Sequence, residues 1–143
     1  MIRIIGVGSP FGADRAGWLA IDYLQSCQLE DCELIKLDRP GSGLLSYLQD
    51  ADQVVVIDAL SSTGRAGDVV RVSRDELVQC QGLTSCHGFG VAEALALADQ
   101  LGELPQQISL LGIHTGDDRN SPPKLDEASL KKQLQVLLTG AGV

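Results

Sequence analysis

Aspartates and histidines next to apolar segments are the residues of this sequence best suited to bind a metal ion or move a proton. Asp58 comes directly after the apolar run 54–57. A carboxylate at the mouth of such a run is costly to bury unless it is hydrogen-bonded, paired or bound to a metal. Asp58 is therefore a candidate catalytic residue and metal ligand. A hydrogen-bonded structural aspartate would give the same pattern, and both interpretations stay open.

Three further side chains are candidates for the same chemistry. Asp14 follows the glycine-rich segment 6–12 and could be a metal ligand, a catalytic carboxylate or a helix N-cap. Asp38 ends another apolar segment and could activate a water molecule or cap the loop that follows. His87 directly precedes a predicted helix, whose positive end favours the neutral imidazole that binds metals. A capping or packing histidine would look the same.

Two other residues lie near these candidates. His114 follows the last apolar segment and is a second candidate for the same site. Cys86, beside His87, could be a soft ligand or a small buried side chain. Mixed carboxylate and imidazole ligands suit nickel, zinc or related divalent ions.

The apolar patterns predict an α/β fold that would gather these residues. Apolar, β-branched segments predict strands, and helical spacing of Leu and Ala predicts helices. The predicted strands are 2–7, 33–38, 53–58, 67–72 and 107–113, and the predicted helices are 14–26, 43–48, 88–101 and 125–138. We expect one domain, 1–143, with a three-layer, mostly parallel twisted five-stranded sheet and helices on both faces. Ligands of such folds bind at the carboxyl ends of the strands, where all the candidates are expected.

Composition excludes several classes of function. The 143 residues carry a net charge of −8, which argues against nucleic acid or an anionic membrane as the main partner. Aromatic residues are only 3%, so a base-stacking surface is not expected. The apolar N-terminal segment is too short for a signal peptide. We therefore expect a cytoplasmic location, with the four cysteines as free thiols.

Common catalytic motifs are missing from the sequence. It contains no G-x-S-x-G elbow, no H-E-x-x-H and no C-x-x-C, which disfavours serine hydrolases, common zinc peptidases and thioredoxin-like chemistry. The glycines of segment 6–12 do not have the G-x-G-x-x-G spacing, and Pro10 removes one N–H from any phosphate cradle. A nucleotide-binding α/β domain remains a distant alternative.

Three segments together resemble the hydrogenase maturation proteases, the family of endopeptidases (peptidase family M52) that trim the large subunit of [NiFe] hydrogenases. Segment 5–14 is similar to the family's opening G-x-G-N-x-x-x-x-D pattern. Segment 54–59 is similar to its strand ending in Asp-Ala, and 85–90 to its S-x-H segment. The resemblance implies the family's α/β fold, which is phosphorylase/hydrolase-like.

The resemblance also implies a ligand set. Asp58 and His87 match the family's metal-binding residues, and Asp14 matches the first acid of its acidic pair. The second acid, which usually supplies the ligand, is replaced here by Arg15, and the family's Asn by Ser9. Arginine stays protonated and cannot ligate a cation. Asp14 could take over as the ligand, the site could use two protein groups, or Arg15 could meet an anionic part of the substrate.

The implied activity is removal of the C-terminal extension of a [NiFe] hydrogenase large-subunit precursor after nickel insertion. The nickel belongs to the substrate, and cadmium or zinc could replace it in crystals. The expected partner is the precursor, with no nucleic acid and no membrane. The alternative is a non-catalytic homologue that binds the precursor or a metal.

Overall fold

The computed structural model describes residues 1–8, 12–38, 41–60, 65–72, 90–116 and 122–142. Within these ranges the strands are β1 (Ile2–Gly8), β2 (Cys32–Asp38), β3 (Gln53–Leu60), β4 (Val69–Val72) and β5 (Ile108–His114). The α-helices are α1 (Ala16–Ser26), α2 (Gly90–Gln100) and α3 (Glu127–Gly142). Two 3₁₀ helices cover Gly12–Arg15 and Gly41–Tyr47. None of the helices in these ranges has the length and apolar character needed to cross a membrane.

The strands form one sheet in the order β2-β1-β3-β5-β4. β1 pairs in parallel with β2 and β3, and β3 pairs in parallel with β5. β4 runs antiparallel to β5 at one edge. The predicted fold class, a mostly parallel five-stranded α/β sheet, is confirmed.

β3 occupies the centre of the sheet because its sequence is apolar on both faces. Every residue from 53 to 59 is buried. A continuous β-branched run is typical of a parallel strand that is covered on both sides. β2 lies at the edge, where its residues are half-buried or exposed. The two strands therefore differ in burial as their sequences differ in apolar content.

Helices cover both faces of the sheet, as predicted, and each face has its own core. We call one the α1/α3 face, because α1 and α3 pack there on Ile4, Val55, Ile57 and their neighbours. We call the other the α2 face, because α2 and the second 3₁₀ helix pack there on Ile5, Val54, Val56 and their neighbours. Neighbouring residues of a strand point to opposite faces, so each strand contributes to both cores.

A glycine brings α1 into direct contact with the sheet. A Cβ at Gly17 would lie 2.3 Å from the backbone oxygen of Val7 and 2.9 Å from that of Ile57. No side chain fits at such distances. Gly17 therefore holds the start of α1 against the carboxyl halves of β1 and β3, where the candidate residues were predicted.

Several element boundaries differ from the predictions. β3 continues past residue 58, because Ala59 and Leu60 pair with β5. The helix predicted at 14–26 is divided into a 3₁₀ turn and α1, and the short helix at 43–48 is a 3₁₀ helix starting at residue 41. β4 starts at residue 69 instead of 67, because Gly67 has a φ of +97°, outside the strand region. α3 begins at residue 127 and continues to 142.

Candidate active site at the carboxyl edge of the sheet

The carboxyl ends of four strands meet at one edge of the sheet. In the register, Gly8 of β1 lies beside Asp38 of β2, and Leu60 of β3 lies beside His114 of β5. Parallel strands place all their carboxyl ends on the same side, which is where ligands bind in open α/β sheets. The predicted edge is therefore present, with Asp38, Asp58 and His114 along it.

Asp58 is the buried carboxylate of this edge. Its side chain is completely buried (0% exposed), and its Oδ1 accepts a hydrogen bond of 2.8 Å from the backbone N–H of Ala59. The alternation along β3 places it on the α2 face, with Val54 and Val56. Its register partner on β5 is Gly112, which has no side chain to pack beside it. A carboxylate in such surroundings exerts its charge through little water, which strengthens its attraction for a cation.

His114 shares the face and the edge with Asp58. It lies on β5 two residues beyond Gly112, the partner of Asp58, so strand geometry puts the two Cα atoms about 8 Å apart. Its backbone N–H donates to Asp68 O at 2.9 Å, and its carbonyl accepts from Gly67 N–H at 2.8 Å. His114 is half-buried. Among the described residues, it is the imidazole that the sheet brings towards Asp58.

Asp38 lies apart from Asp58. It is exposed at the end of the edge strand β2, two strands away from β3, a lateral separation of roughly 10 Å. It shares the α1/α3 face with Lys36, which forms an ion pair with Asp22 of α1. Asp38 and Asp58 therefore occupy the same edge but opposite faces, and the structure does not bring them together.

The remaining predicted residues are only partly described. The backbone of Asp14 lies in the first 3₁₀ helix, and Arg15 occupies the N-cap position of α1 without a side-chain capping hydrogen bond. Asp14 is therefore not the N-cap of α1. His87 and Cys86 lie outside the described residues, as does Ser9. Their contributions to the site stay predictions.

The described side chains alone do not make a metal site. Among them, no group of three or more His, Cys, Asp or Glu residues is arranged to hold a metal ion. The predicted ligand set includes His87 and the side chain of Asp14, which are not among them.

A cavity that the sequence did not predict lies beside α1 and β2. It has a volume of about 460 Å³ and is lined by Arg15, Trp18, Leu19, Asp22, Lys36 and Pro123. The indole N–H of Trp18 donates a hydrogen bond of 2.9 Å to Leu37 O, which fixes the ring over the edge strand. In the sequence, the features that could have pointed to this cavity are Arg15 and Trp18, which is the only tryptophan of the chain.

Comparisons with known proteins identify relatives of the chain. A family model described as hydrogenase maturation protease matches residues 24–137. Over 98% of its length the chain is 31% identical to the hydrogenase expression/formation protein HupD of Thiocapsa roseopersicina. It covers 63% of that relative, and so spans less than two thirds of its length.

Solved structures share the fold. The hydrogenase maturating endopeptidase HybD from E. coli matches with a TM-score of 0.63 at 19% identity, over 97% of this chain and 88% of that one. The [NiFe] hydrogenase maturation protease HybD from Thermococcus kodakarensis matches with a TM-score of 0.63 at 22% identity, over 98% of each chain.

Proposed function

Because the chain belongs to the hydrogenase maturation protease family, we propose that it is an endopeptidase that removes the C-terminal extension of a [NiFe] hydrogenase large-subunit precursor after nickel insertion. The observation that carries this proposal is the completely buried carboxylate of Asp58. It lies near the carboxyl end of the central strand, where α/β folds bind their ligands. Its buried surroundings contain little water, which strengthens the attraction of the carboxylate for a cation.

In this proposal the nickel is part of the substrate. Asp58 and His87 complete the coordination of a nickel ion that the precursor already holds, with Asp14 as a third ligand in place of the acid that Arg15 replaces. Only a loaded precursor gains this contact. If the contact contributes about 3 kcal/mol of binding free energy, it favours the loaded precursor by about 100-fold. The site therefore acts as a checkpoint for nickel insertion.

Cleavage itself adds water across a peptide bond. The water oxygen bonds to the scissile carbonyl carbon, the C–N bond breaks, and the leaving amine takes up a proton. The nickel could polarise the carbonyl as a Lewis acid, or a carboxylate such as Asp38 could activate the water. The position of Asp38, on the opposite face and two strands from β3, favours the first route. If the nickel polarises the carbonyl, the Asp38→Asn variant retains processing. A loss of processing above 100-fold in this variant would instead identify Asp38 as the group that activates the water.

The test is processing of purified precursor, with and without nickel, followed by mass spectrometry of the released peptide. We expect cleavage of the nickel-loaded precursor only, and a loss of at least 100-fold in Asp58→Asn and His87→Gln with the fold retained. His114→Gln is the matched histidine variant. If His114→Gln abolishes processing and His87→Gln does not, the assignment to His87 is wrong. Normal cleavage by both Asp58→Asn and His87→Gln would overturn the proposal.

Arg15 favours one alternative, a homologue that binds the precursor without cutting it. The family pattern has an acid at this position, and a guanidinium cannot replace it as a ligand. The same assay separates the two functions. A binder forms a stable complex with the nickel-loaded precursor and releases no peptide.

A further inference from the structure

The cavity beside α1 places two cations next to an aromatic ring. Arg15 lies at the start of α1, Lys36 is near the carboxyl end of β2, and the indole of Trp18 lines the same cavity of about 460 Å³. Arg15 and Lys36 place the cavity near the carboxyl edge of the sheet, and Lys36 belongs to the α1/α3 face by the alternation along β2. Asp58 belongs to the same edge, and the alternation along β3 places it on the α2 face.

The lining of this cavity carries a net positive charge, whereas the protein as a whole carries a net negative charge. Its lining carries two cations, Arg15 and Lys36, and one carboxylate, Asp22, whereas the chain has a net charge of −8. Asp22 forms an ion pair with Lys36. Arg15 is exposed, and no ion pair joins it to another side chain in the described part of the chain. The first turn of α1 contains no acidic residue to neutralise the positive end of the helix.

The neighbouring surface suits the chain of a peptide. Leu19 and Pro123 line the cavity together with Trp18. A second cavity of about 400 Å³ adjoins it, since both are lined by Leu19 and Asp22, and it follows α1 towards Ser26. The two cavities form a groove along α1 that has a cationic end at Arg15.

We propose that this cationic end binds a carboxylate of the peptide substrate, with Arg15 as the main contact and Lys36 as the second cation. The planar guanidinium can pair with both oxygens of a carboxylate, and Trp18 and Leu19 line the same cavity. This inference rests on the proposed function, because it takes the extension of the precursor as the ligand. In this inference, Arg15 binds the substrate, at the position where the family pattern has an acidic metal ligand.

Trp18 provides a direct measurement. It is the only tryptophan of the chain, so fluorescence excited selectively at tryptophan reports on the cavity. The probes are three acetylated tripeptides: an amide ending in aspartate, the same amide ending in asparagine, which lacks the carboxylate, and trialanine, whose only carboxylate is its free C-terminus. Each is titrated into the full chain at constant ionic strength without nickel.

We expect a saturable fluorescence change with at least one carboxylate peptide, and at least tenfold weaker binding of the asparagine peptide. The carboxylate peptide that binds more tightly identifies the source of the group as a side chain or a chain terminus. In Arg15→Gln the same peptide binds at least tenfold more weakly. The control is Arg71→Gln, an exposed arginine on the opposite edge strand β4, which binds as wild type does.

Two results would overturn the inference: no saturable change with any carboxylate peptide, or equal affinity of wild type and Arg15→Gln. The proposed function fails in a different experiment. If Asp58→Asn stops processing of the loaded precursor while Arg15→Gln binds peptides normally, only the inference fails. If peptide binding depends on Arg15 but no precursor is ever cut, only the proposed endopeptidase activity fails.

Discussion

Two aspartates flank the apolar part of β3 and lie in opposite environments. Asp52, before its amino end, is 86% exposed and forms an ion pair with the N-terminal amine of Met1. Asp58, near its carboxyl end, is completely buried. An exposed carboxylate with a cation beside it costs little, whereas a buried one is costly. The ion pair of Asp52 indicates that the amino edge of the sheet serves stability, and under the proposed function the carboxyl edge serves chemistry.

The amino edge is built from charged groups that satisfy one another. The hydrogen bond with Asp52 raises the pKa of the Met1 amine, and the same bond lowers the pKa of Asp52. Nearby, Arg3 donates 2.8 Å hydrogen bonds to Glu33 Oε1 and to the carbonyl oxygen of Tyr47. These contacts join β1 to β2 and to the second 3₁₀ helix. The following predictions test whether the two edges differ in this way.

The largest expected effect separates the two aspartates by activity. Asp58→Asn keeps the shape of the side chain and the oxygen that accepts from Ala59 N–H, so we expect its free energy of unfolding to stay within about 1 kcal/mol of wild type. Processing of the nickel-loaded precursor should fall at least 100-fold. Asp52→Asn should process within about threefold of wild type. Urea unfolding and rates of peptide release measure both quantities. Equal processing by Asp58→Asn and Asp52→Asn would contradict the account in which only the carboxyl edge of the sheet takes part in the reaction.

The second effect tests how α1 is held at the carboxyl edge. In Gly17→Ala the new methyl group meets the backbone oxygens of Val7 and Ile57, so we expect a loss of about 3 kcal/mol or more in unfolding free energy. The matched control is Gly43→Ala, where the new Cβ would have no atom within 4 Å. We expect it to stay within about 1 kcal/mol of wild type. Equal urea midpoints for the two variants would contradict the close approach.

The third effect tests the amino edge. Arg3 is only 12% exposed, and Arg3→Ala removes its contact with Glu33 and leaves the carbonyl oxygens of Tyr47 and Gln49 without this donor. We expect a loss of about 2 kcal/mol in unfolding free energy, since hydrogen bonds to charged groups are the stronger ones. Glu33→Gln, at a more exposed position, should cost about 0.5 kcal/mol or less. A larger loss in Glu33→Gln than in Arg3→Ala would show that the carbonyl contacts contribute nothing.

The smallest effect is the pH dependence of the pair between Met1 and Asp52. The raised pKa of the amine stabilises the fold below its ordinary value, and this contribution is lost as the pH rises through the raised pKa. The lowered pKa of Asp52 stabilises the fold above its ordinary value, and this contribution is lost as the pH falls. The pair therefore contributes between about pH 4 and pH 8.

Titration of ¹³C-labelled Met1 by NMR measures this pair directly. In Asp52→Asn the pKa of the amine should fall towards its ordinary value, because its strongest hydrogen-bond partner loses its charge. An unchanged pKa would show that Asp52 does not hold the amine.

The sequence predicted the sheet well because local apolar patterns determine which strands are buried. The continuous run of β3 placed that strand, and with it Asp58, in the interior of the sheet. The sequence did not show which face a strand-end side chain occupies, since that depends on pairing with neighbouring strands. Asp38 and Asp58 therefore looked alike in sequence, although the register places them on opposite faces.

The cavity beside α1 could not be predicted for a related reason. Arg15 and Lys36 are 21 residues apart and meet only because α1 packs along β2. Asp14 is a candidate helix cap by sequence because aspartate is a good N-cap, but a 3₁₀ turn precedes α1 and moves the cap to Arg15. Such shifts at helix starts depend on tertiary packing, here the contact of Gly17 with β1 and β3.

A crystal of the protein soaked in cadmium tests the central claim most directly. The account predicts a single cation within about 2.5 Å of both a carboxylate oxygen of Asp58 and an imidazole nitrogen of His87. It would be contradicted if Asp58 and His87 lay too far apart for one ion to touch both, or if the ion bound elsewhere and left Asp58 out of its coordination.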